Sequence, residues 1–148
     1  MKYRHLPKGE HLPIKDRVSI HERSKEVDGK RFGYFEMDLI VDPAQHAILT
    51  IVEKSTNMLF MQKLPFGKLS NPLAKVVRKL LLPYKDSLKT ITTDNGPEFA
   101  VHKDITKYLG VPVYFADPYC SWHKGTVENT NKLIRQYIPK KDSFDNYT

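Results

Sequence analysis

Cysteine is almost absent from this chain: Cys120 is the only one in 148 residues. That excludes an internal disulfide and any Cys-x-x-Cys zinc site, and it fits a reducing cytoplasm. No apolar run approaches the roughly 18–20 residues needed to span a membrane. The first residues, Met1 to Leu6, lack the apolar stretch of a secretory signal. Internal repeats and low-complexity stretches are missing as well. What is in excess is positive charge, with 24 Lys and Arg against 17 Asp and Glu, a formal +7. That balance favours polyanionic partners, nucleic acid being the usual one, although modestly basic surfaces are common among soluble proteins.

The length suits one domain, and a chain of this size buries enough surface to hold a core without staples. Residues 1–31 carry nine Lys or Arg against five Asp or Glu, with Pro7, Pro13 and almost no apolar periodicity. They read as a basic extended arm or the remnant of a linker. Order is expected from Phe32. Phe32–Val41 reads as a strand closed by Asp42-Pro43, followed by strands at Ala47–Val52 and Met58–Leu64 joined through Ser55-Thr56-Asn57. Leu73, Val76, Val77, Leu80 and Leu81 recur at helical spacing, with Ser70 or Asn71 as cap, Pro72 in the first turn and Pro83 at the end. A short strand at Leu88–Thr93, a helix from Pro97 to about Tyr108 stopped by Gly110, a strand at Val111–Phe115 and a helix from about Ser121 to Tyr137 complete the chain. The order is a mixed α/β layout: an antiparallel meander first, βα units after.

Acidic residues interrupt this frame in three places. Along Tyr34–Val41, side chains alternate, so Phe35, Met37, Leu39 and Val41 share one face while Glu36, Asp38 and Ile40 share the other. Such an Asp is costly unless its charge is compensated; an edge strand with one wet face would also explain it. Asp94 ends the fourth strand ahead of Asn95-Gly96-Pro97, where a capped strand-to-helix turn is the plain alternative. Glu128 lies on the last helix, on a face with Lys124, Asn131, Lys132 and Arg135 that could equally be a solvated, salt-bridged surface. Gly125 costs about 1 kcal/mol in a helix, which suggests a close backbone approach there. Three carboxylates from two strands and a helix suit a pair of divalent metals about 3.5–4 Å apart on a phosphodiester, with no Ser, Cys or His nucleophile required.

These blocks resemble a known family. Phe32-Gly33-Tyr34-Phe35-Glu36-Met37-Asp38, Ile91-Thr92-Thr93-Asp94-Asn95-Gly96-Pro97-Glu98-Phe99, Tyr114-Phe115-Ala116-Asp117-Pro118-Tyr119, the run from Ser121 to Asn131 and Leu133-Ile134-Arg135-Gln136-Tyr137 are similar to the cores of retroviral integrases and of DDE-type insertion-sequence transposases, above all the IS-thirty group. Thirty-three residues separate Asp94 from Glu128, as in that group. The resemblance implies an RNase H-like fold with a five-stranded mixed sheet over residues 32–148. It also implies Mg²⁺, replaceable by Mn²⁺, held by Asp38, Asp94 and Glu128, and cleavage at transposon ends followed by joining of the 3′-hydroxyl to target DNA. The implied partners are DNA, both element ends and target, and further copies of the chain in the active complex. The implied setting is the bacterial cytoplasm, at the nucleoid when active.

Lys124, Asn131, Lys132 and Arg135 would then face DNA, with Lys132 and Arg135 on phosphates. Tyr119 and Trp122 would shape the DNA-facing loop, or Trp122 would anchor the helix start in the core. Departures from the family pattern are Phe35 for Trp, Met37 for a small residue and His123 for an acidic one; none removes a carboxylate. The family's N-terminal helix-turn-helix is not present, so the chain reads as an excised core or a truncated copy. Two other readings stay open: another RNase H-like nuclease, and a non-catalytic nucleic-acid-binding module.

Overall fold

Alternation along one strand organises the whole molecule. In the computed structural model, which describes Ser19 and residues 30–64, 70–93, 102–116, 125–139 and 142–144, the strands are β1 (Tyr34–Val41), β2 (Ala47–Glu53), β3 (Leu59–Leu64), β4 (Thr90–Thr93) and β5 (Val113–Phe115). The helices are α1 (Ser70–Leu81), α2 (His102–Leu109) and α3 (Gly125–Tyr137). The five strands form one sheet in the order β3-β2-β1-β4-β5. The meander β1-β2-β3 is antiparallel, and β4 and β5 add in parallel. The sheet is therefore mixed, as expected. β1 is its centre and not an edge, so the wet-edge explanation for Asp38 falls away.

Each turn has a visible cause. Asp42 closes β1 to β2: its amide donates to the His46 carbonyl, its carbonyl accepts the Gln45 amide, and its carboxylate accepts the His46 amide at 2.7 Å. Asn57 takes a left-handed φ of 57° in the β2–β3 turn, a conformation Asn tolerates well. There the buried Glu53 gathers the Ser55 and Thr56 hydroxyls and the Thr56 amide. β1 starts at Tyr34 and not Phe32 because Gly33, at φ 119°, turns the chain. The Gly33 carbonyl accepts the Lys89 and Thr90 amides. A Cβ there would stand 2.3 Å from the Ser87 carbonyl oxygen.

α1 ends at Leu81, and Pro83 sits in a 3-10 turn over Leu82–Tyr84. Gly110 stops α2 at φ 70°, its amide bonding to the Thr106 carbonyl. The expected beginnings of the second and third helices, near Pro97 and Ser121, lie outside the described residues. So does the N-terminal arm apart from its last residues and Ser19, which forms an isolated parallel bridge with Phe115 on β5.

The two faces of the sheet are covered differently. Phe35 and Met37 of β1 join Leu49, Ile51, Ile91, Val113 and Phe115 under Leu73, Val77 and Leu81 of α1 and Ile105 and Leu109 of α2, forming the main core. Phe32, Phe35, Phe60 and Tyr84 stack edge-on or tilted at its end. The sequence departures at Phe35 and Met37 thus fill core volume on the side away from Asp38. On the other face lies α3, with a smaller cluster of Ile40, Ile48, Ile134 and Phe144.

Candidate active site

The α3 face of β1 carries the two carboxylates Glu36 and Asp38, followed by the apolar Ile40. Asp38 Oδ1 accepts its neighbour's amide, that of Leu39, at 2.8 Å, and Oδ2 accepts the side-chain amide of Asn131 at 3.2 Å. Asn131 is fixed in turn from β2: Thr50, directly opposite Asp38 in the antiparallel register, donates its hydroxyl to Asn131 Oδ1 at 2.9 Å. With both ends of the amide engaged, its orientation is determined. Glu36, almost fully buried, accepts the backbone amide of Val127 in the first turn of α3 at 2.7 Å. Glu128 follows directly, half-buried and one helical turn before Asn131. Residues three apart on a helix are neighbours, so Glu128 stands beside the side chain that touches Asp38.

At the far end of α3, Arg135 reaches back to the sheet. Its Nη2 donates to the Val41 carbonyl at 2.9 Å, and its guanidinium lies 5.6 Å from the centre of the Phe144 ring. Burial lowers its pKa, against the pull of Asp42, which raises it. Asp42 itself is a hub. Besides His46, its carboxylate accepts the Phe144 amide at 2.9 Å. Burial alone would raise its pKa, but the bonds from Phe144 and His46 outweigh that and hold it at about 2. Glu53 behaves alike: burial raises, and the Ser55 and Thr56 donors prevail and lower it.

The sequence-derived site residues therefore have different fates. Asp38 and Glu128 come to one face of the sheet. Asp94 and Lys124 lie outside the described residues, as do Tyr119, Trp122 and His123. Lys132 is exposed. Asn131 and Arg135, expected towards DNA, turn inward and spend the contacts described above on the chain's own β1 and β2. The close approach expected at Gly125 is not found: among the described residues, a Cβ added there meets nothing within 4 Å. Its place at the start of α3 explains it better, since a Gly in the first turn costs less than one in the interior. Thr50 and the capping contact of Glu36 were not anticipated. Thr50 had a readable signal, since the Asp42-Pro43 turn sets it opposite Asp38.

Hard carboxylate oxygens are the donors that Mg²⁺ and Mn²⁺ prefer, so Asp38 and Glu128 fit such an ion in kind. Among the described residues no group of three His, Cys, Asp or Glu side chains is gathered for a metal, and Asp94 stands outside that set. No described helix is long and apolar enough to cross a membrane.

No family model matches the chain. Individual relatives do. It is 45% identical to a transposase for insertion sequence element IS4351 from Bacteroides fragilis, over 91% of the chain and 42% of that protein. It is 39% identical to the transposase InsI for insertion sequence element IS30A from Escherichia coli K12, over 98% of the chain and 39% of that protein. The chain thus spans about two fifths of the length of these curated relatives. In fold it is similar to the catalytic core domain of BIV integrase, with a TM-score of 0.57 over 70% of the chain and 66% of that domain, at 24% identity. The likeness read from the motifs holds along nearly the whole chain: in sequence it is similar to insertion-sequence transposases of the IS-thirty group, and its mixed five-stranded sheet has the RNase H-like fold of a retroviral integrase core.

Proposed function

We propose that the chain is the metal-dependent catalytic core of a DNA transposase, which cuts at transposon ends and joins them to target DNA. The observation that carries this is the meeting of Asp38, on the central strand, with α3, through Asn131 and next to Glu128. The register supports Asp94 as third member. Glu36 pairs with Thr92 across the parallel β1–β4 contact, and Asp94 directly follows the last residue of β4 in the sequence. Asp38, Asp94 and Glu128 would hold Mg²⁺ or Mn²⁺, which supplies activation of a water or DNA 3′-hydroxyl and stabilisation of the leaving oxygen.

The chain's own residues do the rest. The Thr50–Asn131–Asp38 relay fixes the Asp38 carboxylate, as outer partners commonly do for ligand groups. Lys132 offers an exposed charge to backbone phosphates. The similarity to transposases and the net charge of +7 agree with DNA as the substrate.

The test combines binding and chemistry. Mn²⁺ at about a hundred times its dissociation constant stabilises the folded chain by roughly 2.7 kcal/mol, read by thermal melting. Asp38→Asn, Asp94→Asn and Glu128→Gln should each lose most of that gain, and with it Mn²⁺-dependent nicking of plasmid DNA. Variants that bind and nick like the parent would leave a non-catalytic DNA-binding module. Nicking without any joining of 3′-ends to a second duplex would favour a nuclease of the same fold.

A further inference from the structure

Glu36 has no part in the set of ligands just described, yet it is the more deeply buried of the two carboxylates on its face of β1. A buried carboxylate needs compensation. The start of a helix provides it, because the first amides have no intrahelical acceptors and carry a partial positive charge. The Val127 amide, one residue before Glu128, points at Glu36 Oε2 from 2.7 Å.

This contact belongs to a series. Glu36 meets Val127, Asp38 meets Asn131 and the Val41 carbonyl meets Arg135. Each step is four residues along the helix, about 6 Å. The step from Glu36 to Asp38 is two strand residues, about 6.6 Å. Helix and strand thus advance together over the first two ties, and the long Arg135 side chain makes up the difference at the third. Slipping α3 by one residue would move Glu128 by about 1.5 Å and break the first two ties together.

We infer that Glu36 is a positioning residue, whose buried carboxylate caps α3 and so sets the height of Glu128 against Asp38. The inference rests on the metal-site reading of Asp38 and Glu128 and adds to it the element that fixes their spacing. Glu36 acts as an acceptor and not as a metal ligand. A Gln, which keeps an acceptor oxygen, should therefore stand in for it, while a Leu should not.

The experiment uses Glu36→Gln and Glu36→Leu in the 148-residue chain, with Asp38→Asn and Glu128→Gln as controls. In the metal-free, ¹⁵N-labelled protein, the Val127 amide should exchange about tenfold faster in Glu36→Leu and stay protected in Glu36→Gln. In Mn²⁺ titrations followed by melting, Glu36→Leu should raise the half-saturating concentration about 10–100-fold, as loss of an outer partner does. Glu36→Gln should stay within about threefold of the parent. If the two controls lose Mn²⁺ while Glu36→Leu binds it normally, the positioning role falls and the metal site stands. A Gln variant as weak as the Leu variant would show that the charge itself is needed, which also overturns the role. Controls that bind Mn²⁺ like the parent would remove the metal site and this inference together. Should Glu36→Leu not fold, Glu36→Gln decides alone: a protected Val127 amide with retained affinity upholds the role, and loss of either overturns it.

Discussion

The two faces of the sheet are built on opposite rules, although the same five strands make both. Towards α1 and α2, β1 presents Phe35 and Met37 into a continuous apolar core. Towards α3 it presents Glu36 and Asp38, and only Ile40 joins a small apolar cluster. A helix docked on apolar side chains is held by area and volume, which tolerate small shifts at modest cost. One docked through single hydrogen bonds to carboxylates is held at defined atoms. The first face supplies most of the stability. The second sacrifices some of it to place charged groups.

The sharpest way to break this contrast is to exchange the effects of the two faces. Phe35→Ala should cost about 3–5 kcal/mol in urea unfolding and leave activity per folded molecule close to the parent's. Asp38→Asn should melt near the parent and lose more activity than the roughly 10–100-fold typical of outer metal-site partners. A Phe35 variant that is stable yet inactive would contradict the division. Gly33→Ala comes next: with φ at 119° and a backbone oxygen in the way, it should destabilise by more than about 1 kcal/mol in the same melts.

Acid should act through the turns at the ends of β2. Asp42 has a folded value of about 2, below its ordinary 3.8, so its contribution is full above 3.8 and is lost as the pH falls towards 2. Glu53 is lowered too and acts in the same sense. Asp42→Asn should therefore flatten, without abolishing, the fall of melting temperature on acidification; an unchanged acid limb would contradict the hub. The smallest effect is expected at Lys132. Its replacement by Ala should change stability by less than about 0.5 kcal/mol and lower the salt dependence of DNA binding by about one unit of slope. No change in slope would remove Lys132 from the DNA surface.

Where pattern and period suffice, the sequence was readable. Alternation in Tyr34–Val41 sorted Phe35 and Met37 from Glu36 and Asp38 correctly, and the spacing of Leu73, Val77 and Leu81 gave the buried stripe of α1. Among the described residues, element ends moved by one or two residues, as at Gly33, where a turn takes over the chain. What could not be read was direction. A helical wheel grouped Glu128, Asn131, Lys132 and Arg135 on one face, but only part of that face turns to the sheet. Asn131 and Arg135 fall on its inner margin, and Lys132 on its outer one. Burial of Glu36 against Val127 was equally hidden, because it depends on the register between a strand and a helix some ninety residues apart.

Phe144 lies outside every motif, seven residues past Tyr137, yet its side chain is completely enclosed and its amide is held by Asp42. It works as a latch that closes the α3 side from below. A fragment designed from the motifs alone, ending after Tyr137, would keep every proposed ligand. It would also expose Ile40, Ile48 and Ile134, and leave Asp42 without one of its donors. Poor solubility in such a fragment would then be a fault of where it was cut, and no measure of the chemistry of the site.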